Sequence, residues 1–197
     1  DRLPPGTPHF FDALLRQWDI DPDSYPDFET RAMQGWLDLK KQKRKLWKER
    51  GHLHYENMDD EQLTDSLHTV IFPNIAISFL PDHIIFYRSE PHPDDPGKCT
   101  FDLWSFVFPV EGITEGEVIM FGQRPFEEAQ FCDHRSFDRG RGIPELAGQI
   151  VYQDMMLAEG QQRGQRSCGF QDCHLSAQET RVRFFHEVLN DWLEGRR

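Results

Sequence analysis

The run from His68 to Pro109 constrains the fold of this chain more than any other stretch. It is built of segments with the period-two alternation that a pleated strand demands. In His68–Leu80, Ile75, Ile77 and Phe79 alternate with Ala76 and Ser78. Pro73 has no N–H to give to a ladder, so it belongs at a strand start, an edge or a bulge. Pro81-Asp82 reads as a turn and His83–Ser89 as a second strand. Pro91–Lys98 is a longer turn, and Cys99–Pro109 is a third strand. Thr100, Asp102, Trp104, Phe106 and Phe108 share one of its faces; Phe101, Leu103, Ser105 and Val107 share the other. Three consecutive strands joined by turns predict an antiparallel meander. Apolar side chains on both faces of the third strand predict a sheet covered on both sides.

A helix is predicted over Ile143–Gly164. Pro144 suits the first helical position, and Gly164 suits a stop just past the end. Ile143, Leu146, Ala147, Ile150, Val151, Leu157 and Ala158 recur at steps of three and four, which makes one apolar stripe. Asp154 falls on that stripe. A carboxylate facing a core costs on the order of several kcal/mol unless a cation or donors meet it. A buried Arg, backbone donors or a metal ion would each do so.

Elsewhere the chain reads as follows. Residues 1–30 are rich in Pro and Asp and contain a short apolar piece, Phe10–Trp18, predicted as a helix within a connection rather than a core. Residues 31–50 predict a helix with Met33, Trp36, Leu37 and Trp47 on one side and a basic second half read as a solvated face, stopped by Gly51. Asp59–Asp65 is a polar loop or a short helix. Residues 110–142 predict a connecting loop with one short strand, Glu117–Phe121. A capping box, Ser176-Ala-Gln-Glu179, opens the last helix. Val182, Phe185, His186, Leu189, Trp192 and Leu193 form its buried stripe, with His186 a core histidine.

A net charge of −12 over 197 residues argues against nucleic acid and anionic membranes as partners. No apolar run is long enough for a membrane span. The four cysteines are irregularly spaced, which predicts free thiols and a reducing, cytoplasmic setting. Cys168, Cys173 and His174 lack the second pair that a zinc knuckle needs. Cys132-Asp133-His134 is half of the C-x-H…C-x-x-H pattern that holds a Rieske cluster, and the other half is not in the chain. There is no P-loop, G-x-S-x-G or H-E-x-x-H. His68 opens the first strand and points either into a cavity or to the surface.

Several of these segments together resemble a known family. His68-Thr-Val-Ile-Phe-Pro-Asn-Ile-Ala-Ile-Ser78, Pro91-His-Pro-Asp-Asp-Pro96, Tyr152-Gln-Asp-Met-Met-Leu-Ala-Glu-Gly-Gln161 with Gly164, and Leu175-Ser-Ala-Gln-Glu179 with Phe185-His186 are similar to the catalytic domain of the α subunit of Rieske-type aromatic-ring-hydroxylating oxygenases. The likeness covers roughly residues 65–192. Phe72-Pro-Asn74 and the Asp154…Gln161 spacing are its most specific parts.

The resemblance implies an α+β, helix-grip (START/Bet v1-like) fold, an antiparallel sheet wrapped around long helices, present here as a partial domain. Residues 1–64 would be a variable helical and loop segment of the catalytic domain, and 65–197 its sheet-and-helix core. It implies a mononuclear Fe(II) held by two His and one carboxylate, with open positions for O₂. Asp154 falls where the family's carboxylate ligand falls, so the metal would offset its desolvation. The family's two His ligands come from a D-x-x-H-x4-H segment that this chain lacks. Its Rieske [2Fe-2S] domain is lacking as well, which implies a downstream fragment that is inactive alone. Ser66, His68, Ile150 and Met155 match substrate-lining positions, with His68 orienting a ring substituent. The implied partners are an aromatic small-molecule substrate, a ferredoxin and/or reductase carrying electrons from NAD(P)H, and subunits in an α3 or α3β3 ring. The reading left beside it is a helix-grip module that binds an apolar ligand without redox chemistry.

Overall fold

The structure, a computed structural model, describes residues 7–118, 122–126, 134, 148–171 and 174–196. Helix α1 spans Thr7–Gln17 and helix α2 spans Phe28–Leu46. Asp27 caps α2 by accepting from the Thr30 N–H at 2.7 Å. The buried face of α2 is Gly35, Leu39 and Lys43, at steps of four. It is not the expected face: Met33 is 71% exposed, and Trp36 and Leu37 are exposed too. The reason is Gly35. With no side chain there, the Phe11 ring packs on the helix backbone, and a Cβ would lie 3.0 Å from Phe11 Cζ. A hydrophobicity pattern cannot register a gap of that kind. Nor is the basic half wholly solvated, since Lys43 is buried.

Phe11, Leu15, Trp18, Leu39, Tyr55 and Leu63 form a buried cluster, with Leu14, Ile20, Tyr25, Leu46, Trp47 and Met58 against it. The segment expected to be a connection therefore holds core. After α2 the chain reverses through Gly51, whose φ of +76° is left-handed and suits glycine. A 3₁₀ turn, Leu53–Asn57, follows, with Asp59–Asp65 in loop and turn.

Four strands, β1 (Leu67–Ile71), β2 (Ile75–Phe79), β3 (His83–Pro91) and β4 (Cys99–Val107), lie in sequence order in one antiparallel sheet. The meander is as expected, with one correction. The run His68–Leu80 is two strands rather than one, broken by a turn at Phe72-Pro73-Asn74 with a cis Phe72–Pro73 bond. Proline, which cannot serve the ladder, ends the pairing there. Pro81 and Asp82 form a two-residue hairpin tip, where Leu80 N–H donates to His83 O at 2.9 Å. Strands β5 (Glu115–Val118) and β6 (Gly122–Pro125) pair in a second sheet, where one strand, Glu117–Phe121, was expected. Phe121 lies outside the described residues.

Helix α3 spans Gly148–Gln165. The expected start at Ile143-Pro144 lies outside the described residues, and Gly164 sits inside the last turn rather than beyond it. The capping box at Ser176 and Glu179 is formed, with the Ser176 N–H donating to Glu179 Oε2 at 2.6 Å. It leads through a 3₁₀ turn, Ala177–Glu179, into helix α4, Thr180–Leu193. The α4 stripe has the predicted period but is not buried. Phe185 and Trp192 reach the Phe72 ring at 5.7 and 6.3 Å, while Val182, Trp192 and Leu193 stay exposed. His186 is exposed as well, so it is not a core histidine.

The protein is thus α+β and carries the antiparallel sheet of a helix-grip domain. Its residues divide into two compact units: Asp1–His68 with Ser78–Ile84 and Phe106–Glu115, and Thr69–Ile77 with Ile85–Ser105 and Gly116–Arg197.

Candidate metal and substrate residues

In the first unit, side chains from three separate segments converge on one carboxylate. The hairpin tip presents Asp82, and its backbone carbonyl is fixed by the Phe108 N–H at 3.0 Å. Gly51 turns the chain so that His52 stands just before the 3₁₀ turn and His54 and Tyr55 lie on it. His52 Nδ1 lies 3.0 Å and His54 Nε2 3.2 Å from Asp82 Oδ1. The Tyr55 hydroxyl donates to Asp82, 2.7 Å from Oδ2 and 2.9 Å from Oδ1. From α2, Lys43 Nζ donates to the Tyr55 oxygen at 3.1 Å and stands 3.7 Å from Asp82 Oδ2. Aromatic rings wall the group: Trp18 lies 5.1 Å from the His52 ring, and Phe108 stacks on His54 at 5.0 Å.

The electrostatics follow from that geometry. Burial works against the Asp82 charge, but hydrogen bonds from His52 and His54, the Lys43 charge and the Tyr55 hydroxyl outweigh it. The carboxyl is held far below the usual carboxylate range. Burial pushes the Tyr55 phenol up, and the neighbouring Asp82 charge pushes it further. Lys43 moves the other way from what its partner alone would do: burial pulls it down although Asp82 supports its charge. Chemically, two imidazoles and a carboxylate form the N,N,O donor set that suits divalent transition metals. One ligand atom from each of His52, His54 and Asp82 lies within 4.8 Å of the others.

The residues singled out from the sequence lie elsewhere. Asp154 is on α3 and exposed, so the apolar stripe does not bury it; Leu157 and Ala158 beside it are exposed too. No group of three His, Cys, Asp or Glu ligands includes Asp154 among the described residues. Met155 is half-buried on the same helix. Ile150 is in the first turn of α3, and its side chain lies outside the described residues. In the first unit, Ser66 precedes β1 and His68 stands on it. His68 Nδ1 is 2.7 Å from the buried Ser78 hydroxyl, and Nε2 is 3.3 Å from Ser66 Oγ. The structure therefore joins Ser66 with His68.

In the second unit His134 meets Asp102 at 2.6 Å, and Arg88 pairs with the same carboxylate at 2.8 Å. His134 thus hydrogen-bonds a carboxylate that Arg88 also pairs with, while Cys132 and Cys173 lie outside the described residues. Cys99 and Cys168 are free and exposed.

Reading the sequence missed His52, His54, Tyr55, Lys43 and Asp82 as a group. The H-x-H at 52–54 was the available signal. Asp82 looked like a turn residue because it is one, and nothing in one sequence pairs it with a segment 28 residues earlier.

No curated protein and no solved structure matches the chain. The family model described as ring hydroxylating alpha subunit (catalytic domain) matches residues 11–195. The match extends the resemblance upstream from residue 65 through most of the segment that holds the buried cluster. Among the described residues, no helix is long and apolar enough to cross a membrane. The chain belongs to the catalytic-domain family of ring-hydroxylating oxygenase α subunits, whose chemistry rests on non-haem iron.

Proposed function

We propose that the chain is the downstream part of the catalytic domain of a Rieske non-haem iron oxygenase, acting on an aromatic or other apolar ring. In that reading a preceding part of the protein carries the Rieske [2Fe-2S] domain and two His iron ligands. Electrons come from NAD(P)H through a reductase and/or ferredoxin, and the intact subunits assemble as α3 or α3β3. Free, exposed Cys99 and Cys168 suit a reducing, cytoplasmic setting.

The family match over 11–195 carries this reading. Asp154 supplies the carboxylate to Fe(II). Its exposed position on α3 leaves it open to a cation, although the described residues do not themselves complete an iron site around it. Bound iron supplies the activation of O₂. The remaining roles belong to side chains. Ile150 precedes Asp154 by one helical turn and shares its face. Met155, rotated by about 100° from Asp154, borders the pocket with a flexible thioether. His68 orients a ring substituent by a hydrogen bond, its own ring held by Ser78 and Ser66.

The test is Asp154→Ala in the enzyme that includes its Rieske domain. Mononuclear iron and ring hydroxylation are expected to be lost while the Rieske absorption spectrum is retained. Normal product formation by that variant would remove Asp154 from the iron site.

A further inference from the structure

We infer that His52, His54 and Asp82 form a second metal site, for a divalent transition ion of the zinc class, which shares no residue with the iron assignment at Asp154. The two oxygens of Asp82 share the Tyr55 hydroxyl, which lies 2.7 Å from Oδ2 and 2.9 Å from Oδ1, but only Oδ1 faces the imidazoles. Oδ1 faces the two imidazole nitrogens at 3.0 and 3.2 Å. Oδ2 faces the Tyr55 hydroxyl at 2.7 Å and Lys43 at 3.7 Å. A metal-ligating carboxylate is itself held by supporting donors, and Tyr55 and Lys43 supply them here. Bonds of about 2.1 Å at tetrahedral angles set neighbouring ligand atoms about 3.4 Å apart. The nitrogen-to-Oδ1 distances are already within a few tenths of an ångström of that spacing. An ion entering between the three atoms replaces the N–H···O contacts, and each ring then carries its proton on the outer nitrogen.

The rings are pre-positioned rather than recruited. His52 is buried beside Trp18, and His54 is stacked on Phe108. Little side-chain freedom remains to be lost on binding. Asp82 retains 27% of its side-chain exposure, which leaves a path for the ion and one position for solvent. The Lys43 ammonium opposes a divalent charge at this distance, so the site favours ions that bond strongly to imidazole over hard ions such as Mg²⁺.

The experiment uses the chain freed of metal by a chelator and titrated with Co²⁺, whose visible absorption reports N,O coordination, then with Zn²⁺ in competition. One equivalent of Co²⁺ is expected to give saturable absorption that Zn²⁺ removes. The same result is expected from Asp154→Ala, so failure of the iron assignment would not affect this one. His52→Gln and His54→Gln, checked for folding by circular dichroism, are expected to weaken binding by roughly tenfold or more. X-ray absorption on the zinc-loaded parent needs no variant: two imidazoles and oxygen are expected in the coordination shell. No saturable Co²⁺ binding, binding unaltered in both histidine variants, or sulfur in the zinc shell would overturn the proposal.

Discussion

Buried Lys43 and half-buried Asp82 are an ion pair whose members are not equivalent. Lys43 keeps 4% of its side-chain exposure and has two polar neighbours, Asp82 and the Tyr55 oxygen. Asp82 keeps 27% and has two imidazoles, a phenol and the ammonium. Removing one partner of such a pair leaves an uncompensated charge, at about 3–5 kcal/mol where burial is complete. Asp82→Asn is therefore expected to cost about 3 kcal/mol in urea unfolding, because it leaves the ammonium with no anion. Lys43→Met should cost less, since Asp82 keeps its other donors and the stem is replaced by an apolar one. The reverse order would show that the pair is not what holds this corner. The pH dependence has a definite sign. The folded carboxyl lies far below its ordinary value, so its contribution is complete above the usual carboxylate range. That contribution is lost as pH falls below the range, where the unfolded chain takes up a proton that the folded one refuses. Asp82→Asn should flatten the acid limb of a stability-against-pH curve measured on the metal-free chain.

At the scale of elements, what was legible depended on whether the deciding interaction was local. The capping box at Ser176-Ala-Gln-Glu179 is local, and it forms as read, with the Ser176 N–H on Glu179 Oε2. Ser176→Ala should remove about 1 kcal/mol of stability through the lost cap and leave turnover by the folded enzyme unchanged. A large loss of turnover at unaltered stability would place Ser176 in the chemistry instead. The strand alternation was local too, and β2, β3 and β4 lie where it put them. The β1–β2 break was half-legible: Pro73 announced that something must give, but not that a turn would replace a bulge. The buried face of α2 was not legible. It depends on the Phe11 ring, contributed by another helix, occupying the space above Gly35. The missed carboxylate at Asp82 belongs to the same class. Its partners His52 and His54 are distant in sequence, and the turn propensity of Pro-Asp explained it well enough locally.

For the molecule as a whole, the open question of packing is where the apolar residues do their work in this chain. The sequence placed a buried stripe on α4 and a mere connection in residues 1–30. The structure reverses the emphasis. Leu15 and Leu39 have no exposed surface, and they pack with Phe11, Trp18, Tyr55 and Leu63. Leu193 on α4 is 75% exposed. The family match begins at residue 11 and so takes in most of the early segment. Period alone could not make this distinction, because a 3.6-residue stripe states which face is apolar and not what covers it. Truncating buried leucines costs about 2–5 kcal/mol, through lost transfer energy plus the cavity left behind. Surface truncations stay within about 0.5 kcal/mol. In the 197-residue chain, Leu15→Ala and Leu39→Ala are therefore expected to lower stability by about 3 kcal/mol each, and Leu193→Ala by almost nothing. Denaturant midpoints at constant m-value measure all three. A Leu193→Ala cost equal to that of Leu15→Ala would mean that α4 is gripped in solution as its stripe predicts. Small costs at Leu15 and Leu39 would return the early segment to a connection.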